Sequence, residues 1–319
     1  MKESYIGYAT DFTIRKKATS GGIGSAILKY LFDNQIIKTS ITFDYDNNTL
    51  QYKPRLIYNY NDYNITGSIY HEIKLIQFIK EHINEIKGGF ACFVLPCQAL
   101  AIRTILHKAN IYSFLIGLTC SSQQQIEATH YLLKRLHIHP KNIFYIQYRG
   151  NGWPSGIQIT LKNKTTKFIP NNNSIWTQIF HSRLFIQKRC FNCKNTLNYY
   201  SDITLADPWL NEYINESIGK SLIVINSIEG KKYIEEAKES YIHIDKINFY
   251  KVLLSQEKTI KRKESFLYCK RAVSLYRKII TNNLYKYIIT NINSLFNIHT
   301  RIKNKIEKQI LQEYENSNN

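Results

Sequence analysis

Apolar and polar positions follow two alternating periods along the first 140 residues. Ser4 to Thr10 reads as a strand, and the polar stretch 11–19 as a loop. Ile23, Ala26, Ile27, Tyr30 and Leu31 then recur at helical spacing and predict an amphipathic helix. Phe43 to Pro54 reads as a hairpin turning around Asp46-Asn-Asn48. Ile73, Ile76, Ile79, Ile83 and Ile86 mark a second helix, ended by Gly88-Gly89. Strand 89–95, helix 98–108, strand 111–118 and helix 123–137 follow, an alternation that argues for an α/β core.

After Pro140 the pattern shortens. Residues 143–148, 156–161 and 165–169 are strand candidates around the glycine-rich turn Arg149-Gly-Asn-Gly152-Trp153. Trp176 to Arg183 reads as a helix, 202–206 and 222–225 as strands, and 228–239 as a helix. From about Tyr250 the pattern is helical to the end, and glycine disappears. The predicted fold is therefore α+β or α/β: a mixed sheet core flanked by helices over 1–249, with a basic helical C-terminal extension over 250–319.

Cysteine placement adds chemistry to this frame. Cys97 and Cys120 each follow an apolar run and precede a helical stretch, which puts both thiols at the carboxyl ends of strands. In an open α/β sheet that is the edge where ligands gather. A Cys-x-x-Cys loop, Cys190-Phe-Asn-Cys193, docking over that edge completes four thiolates, a set that holds a [4Fe–4S] cluster or a structural zinc. Taken singly, each of these thiols also suits a buried core position, and a lone Cys-x-x-Cys suits a redox pair. Cys92 lies within a strand and Cys269 on a tail helix; both read as buried thiols. The histidines show no pairing with carboxylates of metal-site type.

Thr19-Ser20-Gly21-Gly22 sits directly before the first helix. Small residues there let the backbone approach a phosphate at a helix N-terminus, or they form an ordinary N-cap with a flexible lead-in. Arg149 and Arg189 are candidates for bidentate binding of a phosphate or carboxylate. Asp202 and Asp207 bracket a strand, where carboxylates also cap turns.

Composition narrows the class of protein. Hydrophobic residues make up 44% and charged residues 21% of the 319, ordinary values for a globular chain. No apolar run is long enough to span a bilayer, and the polar, aromatic N-terminus does not read as a signal peptide. The expected compartment is the cytoplasm, where cysteines serve as ligands or free thiols. The net charge of +19 suits a polyanionic partner, or reflects the Lys-, Asn-, Ile- and Tyr-rich composition of AT-rich genomes. It is densest in the tail, where Tyr250 to Asn319 carries 14 Lys and Arg against 5 Asp and Glu, a net +9. Nucleic acid is not the expected partner.

In their order these motifs resemble the coenzyme F420 hydrogenase/dehydrogenase beta-subunit family of flavin and iron–sulfur oxidoreductases. That family's Ser-Ser-Gly-Gly segment is similar to Thr19-Ser20-Gly21-Gly22, and its Gly-Thr-Pro-Cys-Gln to Val94-Leu95-Pro96-Cys97-Gln98. Its Cys-His-Gly corresponds to Cys120-Ser121-Ser122, and its Arg-Asp-Lys-x-x-Gly-Trp turn to Arg149–Trp153. Its Arg-x-x-Cys-x-x-Cys resembles the segment holding Cys190 and Cys193, with Arg189 one place before the first cysteine. Its Ser-Asp-Ile-Thr-x-Gly-Asp-x-Trp resembles Ser201 to Trp209. The resemblance spans about residues 4–240. It implies FAD near Thr19–Gly22 and Arg149, and one [4Fe–4S] cluster on Cys97, Cys120, Cys190 and Cys193.

Two departures, Val-Leu before Pro96 and Ser-Ser after Cys120, touch the presumed flavin and substrate side. The ferredoxin-like domain of many relatives has no counterpart. The expected protein is thus an oxidoreductase passing electrons between a ferredoxin-like carrier or partner subunit and a small-molecule substrate. The alternatives are a zinc-stapled basic binding module and a scaffold that has lost its redox activity.

Overall fold

The computed structural model describes residues 2–317. The elements, in chain order, are β1 (Ser4–Ala9), α1 (Phe12–Lys17), α2 (Ile23–Asp33), β2 (Thr39–Asp46), β3 (Gln51–Ile57), α3 (Leu75–Glu81), β4 (Phe90–Val94) and α4 (Ala99–Lys108). They continue with β5 (Ser113–Leu118), α5 (Glu127–Arg135), β6 (Ile143–Gln147), β7 (Gly156–Leu161), β8 (Thr166–Pro170), α6 (Ile175–His181), β9 (Ile203–Ala206), β10 (Ser221–Ile225), α7 (Ile228–Ala237) and β11 (Ile242–Ile247). The predicted helical extension is α8 (Phe249–Tyr268), α9 (Lys270–Ile280), α10 (Asn283–Asn291) and α11 (Asn293–Asn316).

Eight strands form one mixed sheet in the order β11-β1-β10-β9-β5-β4-β2-β3. The centre, β9-β5-β4-β2, is parallel, and the remaining pairings are antiparallel. Alternation along the central strands explains the layers. Ala91, Phe114 and Ile116 pack with α2 and α7 on one face. Phe90, Cys92, Val94 and Leu115 pack with α3 and α4 on the other. Each strand therefore buries both faces and reads as a continuous apolar run. A second sheet, β6-β7-β8, is antiparallel. It shares its core with α5, α6, the loop 184–191 and the tail, through Phe191, Phe266, Val273, Tyr276, Phe296 and Ile310.

The structure departs from the periodic reading at four places. Residues 11–19 are not a loop: Asp11 Oδ1 accepts from Thr13 N at 2.8 Å and caps α1. The helix expected over 73–86 is α3 followed by a short 3-10 turn. The helix expected from 123 begins at Glu127, because Gln124 bridges His71 and Ile186 instead. β11 pairs at the sheet edge although its apolar alternation, Ile242 and Ile244, is only two residues deep. Cys92 and Cys269 are buried, as their positions predict.

Candidate functional site

Neighbouring parallel strands β4 and β5 deliver two of the four thiols to one edge. After β4, Gln98 Oε1 accepts from Leu95 N at 3.0 Å and Gln98 N donates to the Leu95 carbonyl at 2.9 Å. This tight turn leaves Cys97 exposed. After β5, Cys120 N donates to the Thr196 carbonyl at 3.1 Å, which ties that turn to the chain just beyond the Cys-x-x-Cys.

The Cys190–Cys193 loop is tied to the segment after β5 through Gln123 and to α8 through Phe266. Gln187 N donates to the Gln123 carbonyl at 3.0 Å, and Arg189 Nη2 to Gln123 Oε1 at 2.9 Å. Arg189 also pairs with Glu72. Between the two cysteines, Phe191 is 1% exposed and stacks on Phe266 of α8, centroids 6.4 Å apart. Burying an aromatic side chain of this kind contributes about 1.5–3 kcal/mol, enough to anchor a short loop.

Cys97, Cys120 and Cys190 each lie within electrostatic range of other thiols of the set. Burial pushes the Cys120 thiol up to about 12, and Cys190, Cys97 and Cys193 add to the rise. Although Cys97 is exposed as a residue, partial desolvation of its sulfur raises the thiol, and Cys193 and Cys190 add to the rise. Burial also raises Cys190. Against these, the charged side chains acting on the thiols are cations, Arg189 and Lys263. An all-sulfur donor set among cations suits thiolate ligation. Among the described residues no group of three or more His, Cys, Asp or Glu side chains is placed to hold a metal ion.

A cavity of about 730 Å³ runs from Cys120 to the N-terminus of α2. Thr19, Ser20, Gly22 and Gly24 line one end, Cys120 and Gln123 the other, with Tyr70, Trp176, Arg149, Asp207 and Trp209 along its walls. Gly22 caps α2 in the left-handed region, φ 77°, without any side-chain hydrogen bond to the helix N–H groups. An uncapped N-terminus carries unpaired donors and partial positive charge. Gly21 has a different role from its neighbour. A Cβ there would lie 2.5 Å from the Gly7 carbonyl oxygen and 2.8 Å from Ser221 N, and its own carbonyl accepts from Ala9 N at 2.7 Å. Gly21 is thus required for close packing against β1 and β10 and does not line the cavity.

Arg149 is 4% exposed and binds the chain's own carboxylate, Asp207, through both Nη atoms. Burial opposes its charge and Asp207 overcomes that, holding the guanidinium above its ordinary value. Its Nη2 also donates to the Thr19 carbonyl at 3.3 Å, while its buried Nε has no partner. Trp153 Nε1 is likewise buried and unpaired. A spare guanidinium N–H and an uncapped helix at the cavity wall fit the phosphates of a dinucleotide such as FAD. Asp202 is structural: its Oδ2 accepts from Leu115 N at 2.7 Å and Arg103 Nη2 at 2.9 Å.

Periodicity and motif reading missed what α8 brings to this site. Ser255 Oγ and Gln256 Nε2 donate to the Asp207 carbonyl, at 2.7 and 3.2 Å. Lys263, 2% exposed, reaches the cysteines. The signal was there in the register: Lys263 shares a helical stripe with Val252, Gln256 and Phe266, all buried.

Residues 4–80 match the N-terminal region of the coenzyme F420 hydrogenase/dehydrogenase beta subunit, and residues 88–249 match the C-terminal region of that same subunit. No curated protein matches the chain. Among solved structures, a chain of the F420-reducing [NiFe] hydrogenase complex from Methanosarcina barkeri superimposes with a TM-score of 0.61 at 16% identity. That similarity covers 81% of this chain and 89% of the other. Over residues 4–80 and 88–249, which include Cys97, Cys120, Cys190, Cys193 and Arg149, this chain belongs to the coenzyme F420 hydrogenase/dehydrogenase beta-subunit family, a family of oxidoreductase subunits.

Proposed function

We propose that the protein is a flavin- and iron–sulfur-dependent oxidoreductase subunit. It would exchange electrons with an external carrier or partner subunit and act on a small-molecule substrate. The observation that carries this reading is that Cys97, Cys190 and Cys193 lie within electrostatic range of Cys120, which lines a cavity whose other end is an uncapped helix N-terminus. Cys97, Cys120, Cys190 and Cys193 would hold a [4Fe–4S] cluster, and Thr19, Ser20, Gly22 and Arg149 would hold the phosphates of FAD. Together, such groups supply single-electron storage and the pairing of electrons into a hydride.

The chain's own residues supply position and environment. Gln123 fixes the Cys-x-x-Cys loop beside the Cys120 turn. Asp207 orients Arg149, leaving its Nε for a ligand oxygen. Tyr70, Trp176 and Trp209 offer aromatic walls for a planar ring system and limit water in the cavity.

Anaerobic purification followed by iron, acid-labile sulfide, zinc and flavin analysis tests the reading. We expect a brown protein with broad absorption near about 400 nm that bleaches on reduction. Cys97→Ser and Cys193→Ser should lose most of the iron, whereas Cys92→Ser and Cys269→Ser should keep it. A colourless protein with one zinc and no flavin would overturn the redox function in favour of a stapled binding module.

A further inference from the structure

Lys263 lies on α8, beyond both segments that match the family. Its side chain is 2% exposed, and an ammonium that deep needs compensation. Nζ donates to the Cys120 carbonyl at 2.8 Å and the Asn195 carbonyl at 2.5 Å, and stands 3.7 Å from Cys193 Sγ. Neighbouring Arg262 clamps the same turn: Nη2 donates to the Ser121 carbonyl at 3.0 Å and to Ser121 Oγ at 3.1 Å. Two carbonyl dipoles and one sulfur thus surround Lys263, with no carboxylate among its hydrogen-bond partners.

We infer that Lys263 is a positioning residue that sets the reduction potential of the cysteine-bound centre. The inference rests on the proposed function above. A cluster held by four thiolates gains one negative charge when it takes up one electron. A fixed cation at hydrogen-bond range of a ligand sulfur stabilises that added charge more than it stabilises the oxidised form. Burial strengthens the effect, because little solvent screens it. The same ammonium bridges the Cys120 turn to Asn195, two residues past Cys193, so it also joins the two cysteine segments mechanically. The tail helix therefore belongs to the redox site as well as to the surrounding core.

The test is an anaerobic redox titration of the holoprotein, followed by the electron paramagnetic resonance signal of the reduced cluster. The full-length wild type is compared with Lys263→Met and Lys263→Arg. We expect the midpoint potential to fall in Lys263→Met and to return toward wild type in Lys263→Arg. Loss of iron in the Met variant with retention in the Arg variant would support the same role for the charge. An unchanged potential in an iron-loaded Lys263→Met protein overturns the inference and leaves the proposed function intact. Iron loss in both variants also overturns it, reducing Lys263 to a packing role. A wild-type protein that holds no iron overturns the proposed function and this inference together.

Discussion

Arg149, just after β6, and Asp207, just after β9, meet in a two-pronged ion pair, Nη1 to Oδ2 at 2.7 Å and Nη2 to Oδ1 at 3.2 Å. Both side chains are largely buried, 5% and 17% exposed, so little solvent is left to compensate either charge if its partner is lost. Removing one partner strands the other. We expect Asp207→Ala to lower stability by about 3–5 kcal/mol, the usual cost of an uncompensated buried charge. Urea denaturation of wild type and variant measures this directly. Arg149→Lys should recover little of the function, since an ammonium cannot span both carboxylate oxygens and the Thr19 carbonyl.

The two glycines and the serine before α2 separate folding from ligand binding. A side chain at Gly21 meets the backbone of β1 and β10, so Gly21→Val should compromise the fold itself, with flavin lost only as a consequence. Ser20 lines the cavity and makes only a 3.4 Å contact to Ser221 Oγ. Ser20→Glu should place a carboxylate where a phosphate would sit. That charge is tolerated by a helix N-terminus but competes with the anion. The expected result is flavin loss with an unchanged circular dichroism melt, and Ser20→Ala should retain flavin. Equal flavin in Ser20→Glu and wild type would remove the phosphate site from this turn.

Two buried histidines give the protein an acid limit. His71 Nε2 accepts from Tyr52 N at 2.9 Å, and its Nδ1 faces the Glu72 carbonyl at 3.1 Å. His299 stands between the Tyr285 hydroxyl and the Ser182 carbonyl, both at 2.9 Å. Burial lowers the pKa of both imidazoles, and His71 must be neutral to accept from Tyr52. Below about pH 6.5 the unfolded chain therefore binds protons that the folded protein refuses. Stability from these groups is complete above that pH and declines as pH falls through it. The urea midpoint should drop between pH 7.5 and about 5, and a His71→Gln, His299→Gln double variant should show a smaller drop. A flat profile in the wild type contradicts the neutral assignment.

An acidic electron carrier, if the proposed function holds, would be attracted most strongly by the tail, where residues 250–319 carry a net charge of +9. Phe266, Val273, Tyr276, Phe296 and Ile310 place the tail in the largest core, so deleting it would unfold more than a docking surface. Exposed charges are the better probe: Lys270, Arg271, Lys278 and Lys308 all face solvent. Their replacement by Gln should flatten the salt dependence of reduction by an acidic ferredoxin, most visibly below roughly 0.5 M, where the Debye length exceeds about 4 Å. Stopped-flow reduction at several ionic strengths reads the slope. An unchanged slope would leave the charge as a matter of composition.

The sequence by itself determined the parts that depend on local period and spacing. Continuous apolar runs at Phe90–Val94 and Ser113–Leu118 announce strands buried on both faces, and the thiols directly after them fall at the carboxyl edge of the sheet. The order of small motifs from Thr19 to Trp209 carries the family. Local period is also why β11 was hidden, since a sheet edge needs only two inward apolar residues, Ile242 and Ile244, and its pairing to β1 comes from a strand more than 230 residues away. Tertiary structure alone decided which partner each buried polar group meets. Arg149 finds Asp207 across a sequence separation of 58 residues, and Gly21 is needed because β1 and β10 close around it. Lys263 reads as one more charge in a basic helix until α8 packs against the cysteine loop through Phe266. Burial then turns a solvated lysine into a fixed cation beside Cys193, because an ammonium's effect depends on how much water has been removed from around it.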